Sequence, residues 1–207
     1  LILPVSYKLT FMKTLLLFVI SFLFISCENQ SYFDQANTKY EEGDFKSAIE
    51  LCNMEIKENP SNENAYFMRA NSKYGLQDYH GALQDLDKAI KLKPHPAFIN
   101  NRSAVKSRLG DYMGAIEDAT KAINLKADFI DAYINRAGAY QMIDDQEKAI
   151  TDYTKALSMD PQNSISLLNR GSEYQKINEI DKACSDWQKA ADFGGSKAIY
   201  FVETYCK

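Results

Sequence analysis

Histidine is almost missing from this chain: His80 and His95 are the two in 207 residues. A catalytic triad or a zinc site built on histidine therefore has almost nothing to draw on. No C-x-x-C, H-E-x-x-H, G-x-G-x-x-G or P-loop pattern occurs. Nine glycines and five prolines are too few for a collagenous or low-complexity chain, and 25% charged with 45% hydrophobic residues is an ordinary folded composition. No basic stripe appears, which argues against nucleic acid as the main partner, because phosphate binding needs one. Asp and Glu are absent from the first 26 residues, where Lys8 and Lys13 are the only charges, so the net charge of -4 becomes -6 for the remainder. The chain also lacks the repeated long apolar runs of a multi-pass membrane protein. One S-x-x-K match exists, Ser103-Ala104-Val105-Lys106, without the companion motifs of that enzyme class. These absences predict a non-enzymatic protein without metal or cofactor.

The acid-free beginning has its own organisation. Met12-Lys13-Thr14 precedes an uncharged run from Leu15 to Ser26, too short for a bilayer span and suited to the apolar region of an export signal. Residues 1–11 read as an upstream extension that is not native to the protein, and 12–26 as the signal. The run ends in Phe24-Ile25-Ser26-Cys27, which resembles a bacterial lipobox, with Phe24 where Leu is usual. That resemblance implies cleavage before Cys27, acylation of its thiol, and a lipid anchor at the bacterial cell envelope, on the outer membrane or the periplasmic face. The other readings of the run are an uncleaved signal anchor and a plain signal peptide. Two or more acyl chains hold a protein on a membrane without any span.

The remainder, 27–207, is periodic. Ala48, Ala82, Ala115, Ala149 and Ala183 are separated by 34, 33, 34 and 34 residues. Twelve residues later stand Pro60, Pro94 and Pro161, with Ala127 and Gly195 in the same place in the third and fifth units. Ahead of each Ala lies a turn-like step: Gly43-Asp44-Phe45, Gln77-Asp78-Tyr79, Gly110-Asp111-Tyr112, Asp144-Asp145-Gln146 and Asn178-Glu179-Ile180. Ala82, Leu83, Leu86, Ala89 and Ile90 make one face of a 3.6-residue helix, and the other units repeat it. Each period is thus two helices and a turn, with small residues at the seam where helices approach closely.

A helix–turn–helix of this period with this Ala…Pro signature resembles the tetratricopeptide repeat (TPR). Tyr66 and Tyr133 fill its usual Trp place, and Ala36, Ala70, Ser103, Ala137 and Gly171 its small-residue place. The resemblance implies an all-α solenoid of about five repeats, at 29–62, 63–95, 96–129, 130–163 and 164–197. A short helix over 198–206 reads as the cap on the last apolar face.

Two sets of residues recur with the period. Arg69, Arg102, Arg136 and Arg170 on successive first helices are each followed sixteen residues later by Asp85, Asp118, Asp152 and Asp186. Charges locked to the repeat read as structural ion pairs between packed helices. Before three of these arginines stand Asn101, Asn135 and Asn169, with Met68 before the other. In TPR arrays that position generally faces the concave groove, so the resemblance implies an Asn ladder. An amide offers donor and acceptor to one peptide unit of an extended ligand. Asn100, Ile134, Leu168, Tyr74, Arg108 and Gln141 would then shape side-chain pockets; the other reading is a row of solvated groove residues. The two-carboxylate clamp of some TPR modules is not completed by Asn71, Asn101 and Arg108, since Ala104 and Phe67 stand where polar groups would help.

With Cys27 acylated, Cys52, Cys184 and Cys206 remain in an oxidising context. Cys184 faces the next element and Cys206 lies on it, so they form either a disulfide or two buried thiols. The sequence therefore predicts a scaffold or assembly factor that binds a protein or peptide segment in its groove. The alternative is a permanent subunit of an envelope complex, such as an outer-membrane assembly or pilus-type machine.

Overall fold

The computed structural model describes residues 31–206. Eleven helices and no strand occur among them: α1 Tyr32–Glu41, α2 Phe45–Glu58, α3 Glu63–Gly75, α4 Tyr79–Leu92, α5 Pro96–Arg108, α6 Tyr112–Leu125, α7 Ile130–Met142, α8 Gln146–Met159, α9 Ser164–Lys176, α10 Ile180–Asp192 and α11 Ser196–Tyr205. Each helix packs on the next, and α1 on α3, α3 on α5 and α5 on α7 besides, which stacks five hairpins into an all-α solenoid closed by α11. The last helix starts at Ser196, slightly before the expected 198, because the turn at Gly194 and Gly195 already releases the chain into helical geometry.

The turn inside each hairpin has a repeated physical basis. Its first residue lies at positive φ: Gly43 at 78°, Gln77 at 63°, Gly110 at 84°, Asp144 at 55° and Asn178 at 64°. That left-handed residue lets the following N–H reach back five residues, as in Asp78 N–H to Lys73 O at 2.9 Å and Asp145 N–H to Tyr140 O at 3.0 Å. The residue making this bond then caps the second helix. Asp44, Asp78, Asp111 and Asp145 each accept from a backbone N–H three residues on, whereas Glu179 makes no such bond. Gln77 carries a Cβ where two other repeats have glycine. Gln77→Gly is expected to raise stability by about 0.5–1 kcal/mol, read as a higher urea midpoint at unchanged slope.

The seam between helices is built from small side chains. Ala48, Ala82, Ala115, Ala149 and Ala183 are all fully buried, as are Ala36, Ser103 and Ala137. Larger groups fill the spaces between: Tyr66, Leu86, Phe98 and Val105 in the second and third repeats, Ile99, Ile123 and Tyr133 in the next layer, and Trp187 at the end. Gly171 has a specific reason, since a Cβ there would come within 2.6 Å of the Trp187 indole nitrogen. Ser103 also differs from a catalytic serine: it is buried and donates to Ala115 O at 2.7 Å, while Lys106 is engaged by Asp118.

Cys184 and Cys206 form a disulfide with Cα atoms 5.6 Å apart, tying α10 to the end of α11. Cys52 is the free cysteine among the described residues and is completely buried, and burial pushes its thiol up to about 12. It is a neutral packing group rather than a nucleophile. Cys27, the extension 1–11 and the signal 12–26 lie outside the described residues.

Candidate functional site

The first helices carry two polar systems on different sides. On one side each arginine forks onto its aspartate. Arg102 donates from Nε and Nη2 to Asp118 at 2.8 Å each, Arg136 to Asp152 at 2.7 and 2.8 Å, and Arg170 to Asp186 at 2.7 and 2.8 Å. Arg69 forks onto Asp85 in the same way. The remaining Nη1 reaches the preceding repeat's second helix: Asn53 at 2.6 Å, Asp87 at 2.7 Å, Thr120 at 3.0 Å and Thr154 at 3.0 Å. One side chain therefore joins three helices and fixes the stacking of repeats. Spacing within a repeat could not reveal that third bond, because its acceptor changes chemical type along the array.

Lys73 and Lys106 add a second cation to Asp85 and Asp118, at 2.8 and 2.7 Å. Tyr140 and Tyr174 occupy the equivalent place later in the array, with Lys148 and Lys182 over their rings at 5.3 and 5.5 Å. Burial alone would raise the Asp118 carboxyl, yet the hydrogen bonds from Arg102 and Lys106 outweigh it and hold the group below the usual carboxylate range.

The other side holds the groove. A cavity of about 610 Å³ is lined by α5, α7 and neighbouring residues, among them Tyr74, Arg108, Tyr112, Ile134, Asn135, Gly138, Gln141, Met142, Tyr153 and Asn169. A second, of about 250 Å³, lies one repeat earlier, between Tyr40, Asn71, Tyr74 and Asn101. The structure thus places Tyr74, Arg108, Ile134, Asn135, Gln141 and Asn169 around one cavity and Asn101 in its neighbour.

Asn100 and Leu168 line neither cavity and correct the sequence-based pocket assignment. Asn100 is buried and accepts from Asn135 Nδ2 at 2.9 Å. Leu168 packs on Leu157, Leu167, Ala190 and Ala198, and its carbonyl accepts from the Trp187 indole at 3.2 Å. At Asn100 and Leu168 the position before the ladder residue, about 100° round the helix, is taken up by packing between helices, whereas Ile134 at the same position still reaches the cavity. The ladder differs in chemistry too. Asn101 Nδ2 donates to Asn71 at 2.9 Å and Asn135 Nδ2 to Asn100, so these amides spend donor capacity between adjacent first helices. Each keeps its carbonyl oxygen for a ligand, and Asn101 keeps a second N–H as well.

Below Gln141 runs a polar chain. Tyr153 donates to Gln141 Oε1 at 2.6 Å, and Gln141 Nε2 donates to the fully buried Glu173 at 2.6 Å, which also takes Lys176 Nζ at 2.9 Å. Burial pushes the Tyr153 phenol up, so it stays protonated and donating. Tyr153 and Gly138 were not foreseen as groove residues. Their signal lies in comparing repeats: Cys52, Leu86, Ala119, Tyr153 and Trp187 share one position, and the phenol extends to within 4.0 Å of where a Gly138 Cβ would stand. Among the described residues no group of three or more His, Cys, Asp or Glu could hold a metal ion.

Residues 63–96 and 130–163 each match the family model for the tetratricopeptide repeat. No curated protein matches the chain. Among solved structures it is similar to MamA, at 23% identity and TM-score 0.69 over 80% of this chain and 97% of that one. It is similar to YrrB, described as a TPR protein with an unusual peptide-binding site, at 17% identity and TM-score 0.66 over 85% and 94%. PilF of Pseudomonas aeruginosa aligns at 16% identity and TM-score 0.74 over 80% and 76%. These structures share the fold; two of the chain's five hairpins are matched by sequence to the tetratricopeptide repeat, and the other three are built alike.

Proposed function

We propose that the protein is a non-enzymatic interaction scaffold that holds an extended segment of a partner protein in the groove, and that it is lipid-anchored through Cys27 at a bacterial cell envelope. The observation that carries the reading is the continuous recess formed by α5 and α7. It offers amide acceptors from Asn135 and Asn169, and apolar surface from Ile134 and Met142. That mixture suits a peptide, whose backbone supplies complementary groups and whose side chains need pockets. The peptide-binding site named for YrrB belongs to a protein of the same fold and favours this use of the architecture. The anchor rests on the position of Cys27 at the end of the apolar run, and no described helix is long and apolar enough to cross a membrane.

Gly138 gives a clean test, because it lines the recess and a Cβ there meets only the Tyr153 hydroxyl, at 4.0 Å. Gly138→Leu is expected to keep or slightly raise the melting temperature, since leucine is the better helix former by up to about 1 kcal/mol. In cells it should remove the partner bands seen on crosslinking, and unchanged bands would exclude the groove. Cys27→Ser is expected to abolish incorporation of labelled palmitate. The second reading, a permanent subunit bound through an end of the array, is favoured by the outer face of α11, where Ile199 and Tyr200 are 48% and 60% exposed. There Tyr200→Glu, rather than Gly138→Leu, would release the partner.

A further inference from the structure

Four of the five arginines are consumed by the stacking of repeats, and the fifth is not. Arg108 is the last residue of α5 and lines the larger cavity. Its Nε donates to the Tyr74 hydroxyl at 3.0 Å, across to the first helix of the preceding repeat. Among the described residues it has no carboxylate partner, and no Asp, Glu or Lys shares the cavity lining with it. A helix C-terminus favours a cation there, but Lys106 already stands in the same last turn. The Tyr74 bond does something a helix end does not require: it fixes the guanidinium beside the recess with the Nη1/Nη2 edge unspent. That edge, like the Nε/Nη2 edge used in the four stacking pairs, can meet a carboxylate with two parallel hydrogen bonds. The chain as a whole is acidic, at net charge -4, so this is a local positive site on a negative chain.

Building on the groove reading, we propose that the partner segment carries a carboxylate that forks onto Arg108 while its backbone lies along Asn135 and Asn169. One guanidinium without a lysine in the cavity neutralises one negative charge, which fits a carboxylate better than a phosphoryl dianion. The carboxylate is either an Asp or Glu side chain or the free C-terminus of the partner. This site differs from a two-carboxylate clamp, since it uses a single cation oriented by a tyrosine one repeat away.

The test selects peptides on the purified chain from two displayed random heptapeptide libraries, one with its C-terminus blocked and one with it free. Wild-type protein is expected to enrich Asp or Glu at one fixed position of the blocked library, which identifies a side chain, or to enrich the free-terminus library alone, which identifies a terminal carboxylate. Either result supports the proposal if Arg108→Gln, at an exposed position, lowers that enrichment about tenfold or more at an unchanged melting temperature. Recovery of specific peptides that Gly138→Leu abolishes, but with no acid preference or with the same preference in Arg108→Gln, would overturn the carboxylate while sparing the groove. No enrichment by wild-type protein, or enrichment indifferent to Gly138→Leu, would overturn both.

Discussion

Asp118→Ala is expected to cost about 3–5 kcal/mol, the largest loss from any single charge in the array. Asp118 is fully buried and takes three short bonds, two from Arg102 at 2.8 Å and one from Lys106 at 2.7 Å, while the equivalent Asp152 takes only its arginine. Removing the carboxylate leaves two cations, each about one-fifth exposed, facing a hole of low polarity. Arg102 keeps Asp87, but that partner is more than half exposed and replaces little of the loss. Asp87→Ala is accordingly expected to cost at most about 1 kcal/mol. Urea unfolding followed by far-UV circular dichroism separates the two, and equal losses would mean that burial does not set the worth of the pair. The pH dependence has a definite sign. Because the folded Asp118 carboxyl lies below its ordinary value of about 3.9, its contribution is complete above that pH and fades as pH falls through the lowered folded value. The gap between wild type and Asp118→Ala should therefore be constant at neutral pH and shrink on acidification below about pH 4.

What the sequence disclosed was whatever the period repeats in kind. Ala48, Ala82, Ala115, Ala149 and Ala183 mark a seam that needs a small side chain every time, and all five are fully buried. The Arg-to-Asp spacing was legible for the same reason, since both partners lie within one repeat and never change identity. Features that cross from one repeat to the next were not legible. The third bond of each arginine falls on Asn53, Asp87, Thr120 or Thr154, and no residue pattern announces an acceptor that varies. Asn100 and Leu168 failed for a related reason: whether a first-helix residue faces the groove or the next helix depends on how repeats rotate against each other. Size exchange between helices is intermediate. Gly171 with Trp187, and Gly138 with Tyr153, can be suspected by reading equivalent positions together, but only geometry shows that Tyr153 reaches the groove while Trp187 stays beneath α11.

Reducing the disulfide is expected to loosen the C-terminal end first and to lower stability by about 3 kcal/mol, the loop entropy of a bridge spanning 22 residues. The reason lies in how little else holds α11. Ala198 is its one fully buried residue, while Ile199, Tyr200 and Tyr205 are exposed, so its packing is chiefly Phe201 and Tyr205 against the Trp187 ring at 4.9 and 5.7 Å. In a stacked array each unit answers mainly to its neighbours, so loss of the strap should fray α11 without unfolding the repeats before it. The readout is built in. Trp187 is the only tryptophan in the chain and is fully buried in the closed state. Under reductant its emission should shift to the red and become accessible to iodide before far-UV circular dichroism falls, and the double variant Cys184→Ser with Cys206→Ser should behave the same way untreated. Cys52 does not confuse the experiment, being buried and outside any bridge. If Trp187 emission and the urea midpoint ignored reductant, the aromatic contacts alone would hold the cap, and α11 would owe its place to packing rather than to the covalent tie.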